Sequence, residues 1–238
     1  MMLLDYDLND RDYARILEII ARDAWLNVYS FDVKKCLEKG FSDFLTGTLV
    51  EYTLVEAQNE LWPVLHAWSS ALGPDRIPPG TEQIVSPHYV LRNVLGFDTG
   101  FLHFGYARAW RRVGGADASL LYDHLGQWLH FFGDDYPEQA GIAKLLRERM
   151  DAQGLTGRAQ FPVYPFLLDI KNTSPAAIPE GMPIARHFET AGHIVMSSGF
   201  KTNDTYALFV CGGTLGEAHL DATHFTIYKQ GYLAVDSG

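Results

Sequence analysis

Residues 216–238, GEAHLDATHFTIYKQGYLAVDSG, gather His219, His224, Glu217, Asp221 and Asp236 into one short segment. Imidazole nitrogens and carboxylate oxygens held close together are the donors that a divalent ion takes from a protein. A histidine beside a carboxylate is also a general acid–base arrangement, and a plain polar sheet face can carry the same residues.

The stretch HFTIYKQGYLAVD reads as a β-hairpin. Side chains alternate along a strand, so Phe225 and Ile227 share an apolar face, and His224, Thr226 and Tyr228 share a polar one. A three-residue loop Lys229-Gln230-Gly231, with Gly231 left-handed, sets Tyr228 opposite Tyr232. Continued without a slip, that register faces His224 with Asp236, Cβ atoms about 5 Å apart. A one-residue slip would set Phe225 against Asp236 and mix the faces, so the pattern opposes it. His219 and Asp221 arrive from the strand or loop just before.

Two kinds of element must position these groups. From residue 10 to about 153 the apolar period is helical. Tyr13, Leu17, Ile20 and Ala24 form one stripe, Pro63 kinks or restarts a helix, and 73–80 (GPDRIPPG) is a loop. A helix is expected over 87–113, stopping at Gly114-Gly115. Asp117 caps the next, which buries Leu121, Leu125, Trp128 and Phe132. After GDDYPEQ another helix carries Ile142, Leu145, Leu146 and Met150. Residues 156–182 are a proline-rich transition. From 183 the period changes to two, and HIVMS, TYALFVC, HFTIY and YLAVD read as strands. Helices first and antiparallel strands after make an α+β chain: a helical region 1–155, the transition, and a sheet region 183–238.

The bulk composition narrows the partners. A formal net charge of −10 argues against nucleic acid, which calls for a basic face. A local basic cleft for an acidic sugar is still compatible with it. No stretch of about 20 apolar residues suggests a membrane span. The opening MMLLDYDLND has no basic n-region, so no signal peptide is read there. Cys36 and Cys211 make no disulfide framework and are expected to be buried free thiols.

The stretches HFETAGHIVMSSGF, DTYALFVCGG and HLDATHFTIYKQGYLAVDSG resemble the heparinase II/III-like polysaccharide lyases. The resemblance fixes about ten positions over the last quarter of the chain, and the helical half is compatible with the (α/α) toroid that precedes the sheet in that family. It implies a sandwich-like sheet domain that is incomplete here, the chain being part of a longer lyase. It also implies a periplasmic or secreted setting and an acidic polysaccharide or oligosaccharide as substrate. His219 and Asp236 match the family's metal-binding histidine and aspartate, with zinc the expected ion and manganese or calcium as options. The family's further histidine lies well downstream of Asp236, so the third ligand is absent, comes from another chain, or belonged to a longer parent, the last being the expectation.

The family's toroid tyrosine, acid and often base in the reaction, best matches Tyr106 in FDTGFLHFGYARAW, with His103 one helical turn before it. Tyr89 in SPHYV is the rival and a candidate substrate contact. Arg108, Arg111 and Arg112 supply guanidinium forks for carboxylate or sulfate groups, although a solvated helix face explains them as well. The sequence departs from the family at two places. Glu217 stands where active members often have a histidine, and no toroid Asn-His pair is found. His224 would compensate as a catalytic group, or hold Asp236 from behind the metal. A catalytically weakened carbohydrate-binding or scaffolding relative therefore stays open. So does a non-haem iron oxygenase begun by His219-x-Asp221, which leaves the helical half unexplained.

Overall fold

The computed structural model describes residues 15, 62–73, 77, 80–83, 86–93, 116–154, 168, 170, 175–188, 192–201, 203–211 and 223–234. Within them lie four α-helices, α1 (Trp62–Leu72), α2 (Pro87–Asn93), α3 (Ala116–Phe132) and α4 (Pro137–Ala152). Five strands follow, β1 (Ala185–Phe188), β2 (His193–Ser197), β3 (Tyr206–Val210), β4 (Phe225–Tyr228) and β5 (Tyr232–Ala234). The chain is mixed α+β, and the strands form one open antiparallel sheet in the order β1-β2-β3-β4-β5.

The helical stripes act as the sequence implies. Leu121, Leu125, Trp128 and Phe132 of α3 are buried, as are Ile142, Leu146 and Met150 of α4, whereas Leu145 at the margin of that stripe is only half-buried. Pro63 lies in the first turn of α1, where a missing N–H costs no internal bond. Gly73 ends that helix at φ 98°, its N–H donating to the Ser69 carbonyl at 2.9 Å. Pro87 opens α2, and Ser86 Oγ accepts from the Tyr89 amide at 3.3 Å, a cap of the usual kind. Asp117 falls inside the first turn of α3, not ahead of it, because that helix begins at Ala116. Of the helix expected over 87–113, Pro87–Asn93 is described; the stripe Tyr13–Ala24 lies outside the described residues.

The proline-rich transition docks on α4. Ala177 N–H donates to the Gly141 carbonyl at 3.2 Å, and a Cβ built on Gly141 would stand 2.9 Å from the Pro175 carbonyl oxygen. Gly141 is therefore needed for close backbone approach.

The sheet has one covered face. Phe188, His193, Val195, Tyr206, Leu208, Val210, Thr226 and Tyr228 are buried on it, and α2 packs against β2. Strand β1 is an addition to the strands expected from the sequence. It pairs with β2 through Phe188↔His193 and Ala185↔Met196.

The hairpin faces are reversed relative to the hydrophobic pattern. Thr226 and Tyr228 are buried, while Phe225 is 53 % exposed. The cause is the register with β3: Thr226 pairs with Leu208 and Tyr228 with Tyr206, both on the covered face. Tyr228 does oppose Tyr232, but the next pair is Ile227↔Ala234, across a bulge. The left-handed residue of the turn is Gln230 (φ 55°), one place before Gly231. Its side-chain amide donates to Asn203 Oδ1 at 2.8 Å, which ties the turn to the β2–β3 connection and helps a non-glycine residue hold that conformation. Cys211 is a free, exposed thiol, contrary to the buried thiol expected, because it lies just past β3 on the alternation opposite to buried Val210. Cys36 lies outside the described residues.

Candidate functional site

Strand pairing lines up Phe188 of β1, His193 of β2 and Val210 of β3 in one row on the covered face. The backbone carries the row on to His224, whose carbonyl accepts from the Val210 amide at 2.8 Å. This row forms one end of the sheet, where the described chain leaves β3 after Cys211 and resumes at Thr223 before β4.

Tyr89 descends onto the row from α2. Its ring meets Phe188 edge-on at 5.0 Å between centroids, and its hydroxyl is hydrogen-bonded to His193 Nδ1 at 3.2 Å. Tyr89 is 1 % exposed and His193 fully buried. Burial alone pushes the His193 imidazole down to about 4, so it is neutral near pH 7. A sugar polymer would have to displace these contacts to reach the Tyr89 hydroxyl. Sequence reasoning does not single out His193, although a signal for it exists. Strand β2 alternates, so His193 must share the face of Val195, the core residue of its strand.

His224 is half-buried, with Nε2 hydrogen-bonded to Thr226 Oγ1 at 3.2 Å and its ring stacked near Phe225 at 6.4 Å. The unbroken register that would face it with Asp236 ends at the bulge, and Asp236 itself lies outside the described residues. Just before it, Thr223 holds φ 73° while its amide donates to the Val210 carbonyl at 2.8 Å. A β-branched residue in the left-handed region is strained by about 1–2 kcal/mol, and such strain concentrates where a chain must present particular groups.

Beside the Tyr89–His193 contact, Arg92 ties α2 to the chain entering β1. Its Nη2 donates to the Pro183 carbonyl at 2.8 Å, and its Nη1 lies 3.4 Å from His88 Nδ1. The guanidinium also stands 5.8 Å over the Phe200 ring, in the connection after β2. Burial first, then Arg92 and Arg186, drive the His88 imidazole down to about 4.

Tyr106, His103, Arg108, Arg111, Arg112, Glu217, His219 and Asp236 lie outside the described residues. Among the described residues no three His, Cys, Asp or Glu side chains come together as a metal site. No helix among them is long and apolar enough to cross a membrane. No protein-family model matches the chain, and no curated protein matches it.

Proposed function

We propose that this chain belongs to a polysaccharide lyase that cleaves uronic-acid-containing polymers of the glycosaminoglycan or alginate type by β-elimination, on an (α/α)-toroid helical region followed by a sandwich-like sheet. The observation that carries the reading is the coincidence of two boundaries. Among the described residues the strands of the antiparallel sheet all fall within 185–234, the stretch with the lyase-like motifs, and the α-helices all precede them.

The chemistry assigns the roles. A uronate has an acidic proton at C5, next to its carboxylate. A base takes that proton, the electron pair forms the C4=C5 double bond, and the C4–O bond breaks with a proton delivered to the leaving oxygen. Tyr106 is the acid and base of this reading, assisted by His103. Arg108 and Arg111 neutralise the substrate carboxylate, which the developing negative charge requires. His219 and Asp236 would hold a divalent ion, zinc before manganese or calcium, since imidazole with carboxylate suits it. Bound there, such an ion would serve to order the segments that carry His219 and Asp236. Glu217 and His224 stand on the same connection and hairpin, as acid–base or hydroxyl-binding groups. Tyr89, buried and hydrogen-bonded to His193, takes a supporting role in this reading.

Incubation with uronate polymers tests the reading through the ultraviolet absorbance of the unsaturated product. A rise that Tyr106→Phe lowers at least about 100-fold is expected, the scale of a lost general acid–base group. Glu217, an acid where active relatives often carry histidine, favours one second reading, a carbohydrate-binding relative without catalysis. Unchanged absorbance together with retardation on a uronate affinity gel would establish that reading in place of the lyase.

A further inference from the structure

We propose that Arg92 and His88 form an acid-sensitive latch that holds α2 on the sheet. Arg92 is the fastener. It is 3 % exposed and reaches from the end of α2 to the Pro183 carbonyl, with the Met182 sulfur at 3.9 Å from Nη1. One side chain thus joins the helix to the chain that feeds β1, and through Phe200 to the connection after β2.

His88 sets the condition. A guanidinium has donors only, so the contact between Arg92 Nη1 and His88 Nδ1 requires an unprotonated Nδ1 that accepts. Protonation puts a second N–H against Arg92 and a new cation beside it. The charges acting on His88 are Arg92, from its own helix, and Arg186, from β1. Among the described residues no acid acts on His88. From β2 the titratable group at this junction is His193, which faces Tyr89, and α4, which also packs on α2, carries Glu138, Lys144, Arg147, Glu148, Arg149 and Asp151, none of them among the charges acting on His88. A charged His88 would therefore meet like charge from both the helix and the sheet.

The mechanism is a loss of acceptor combined with repulsion inside a half-buried contact, where water screens little. Opening separates α2 from β1 and β2 and uncovers Tyr89. Helix α2 also packs against α4, and the pair α3–α4 has its own apolar core, so that pair is expected to stay folded when α2 leaves the sheet. This inference is independent of the lyase reading.

Amide hydrogen exchange on the whole chain, corrected for the intrinsic effect of pH, tests it between pH 7.5 and 4. Residues 87–93 and 182–197 are expected to lose protection at least about tenfold as pH falls, while α3–α4 stays protected. His88→Gln keeps an acceptor and cannot titrate, so the loss should move down by about one pH unit or more. Arg186→Gln removes one of the two cations and should move it in the same direction, which keeps the test decisive if the first variant does not fold. Opening at the wild-type pH in both variants would overturn the latch. So would simultaneous loss of protection in α3–α4, which would mean global unfolding.

Discussion

Thr223 departs furthest from what its residue type prefers. A threonine at φ 73° crowds its branched Cβ against the backbone, whereas asparagine visits this region readily. Thr223→Asn is expected to raise stability by about 1 kcal/mol, read as a higher urea midpoint at unchanged slope. An unchanged or lower midpoint would mean that the Thr223 hydroxyl or methyl carries a contact that offsets the strain. Neither left-handed residue could be read from the sequence. Reasoning from composition gives that role to Gly231, since glycine adopts positive φ without penalty, but Gln230 takes it and is held by Asn203. Tertiary hydrogen bonds decided the turn, and these are invisible to a local rule.

At the scale of elements, β3 fixes the sheet. Leu208 is fully buried in the central strand, and its partner Thr226 is drawn to the covered face with it. The face of a strand is set by its neighbours' register as much as by its own hydrophobicity. The contrast between faces makes a direct prediction: Leu208→Ala should cost about 2–5 kcal/mol, and Phe225→Ala, at 53 % exposure, less than about 1 kcal/mol. Equal costs in chemical denaturation would show that the exposed face is covered in solution. Strands β2 to β5 and the stripes of α3 and α4 were legible because each carries a clean period. The strand β1 was not, because ARHF is short and alternates weakly. The His224–Asp236 pairing rested on an uninterrupted ladder, and the bulge between Ile227 and Tyr228 interrupts it. Bulges insert one residue at a cost that local sequence does not display. Most of the proposed lyase residues came from motif resemblance and lie outside the described residues. The Tyr89–His193 contact, by contrast, came only from the packing of a helix on a sheet.

For the whole molecule, buried imidazoles govern how stability varies with pH. His193 and His88 are driven to about 4, and His66 is lowered too, chiefly by burial, with His130 adding to it. In the unfolded chain each would titrate at 6.5. Between 6.5 and about 4 the unfolded state therefore binds more protons than the folded one, and stability falls as pH falls. It is present in full above 6.5. For fully buried His193 alone the loss is on the order of 3 kcal/mol, because each tenfold weakening of proton binding is worth about 1.4 kcal/mol. Asp123 works the other way. Burial raises its carboxyl to about 6 against the pull of Arg147, so its contribution is present below 3.8 and is lost as pH rises through 6. Among the described residues one carboxyl stands against three imidazoles, which reduces the slope and does not reverse it. Urea denaturation at a series of pH values should thus show stability decreasing from pH 6.5 to 4, and His193→Gln should flatten that decrease by about one proton's worth. The glutamine amide can keep a hydrogen bond to Tyr89, which separates loss of titration from loss of contact. A profile equally steep in the variant would mean that His193 is charged in the folded protein, and the neutral imidazole assigned to the helix–sheet junction would have to be abandoned.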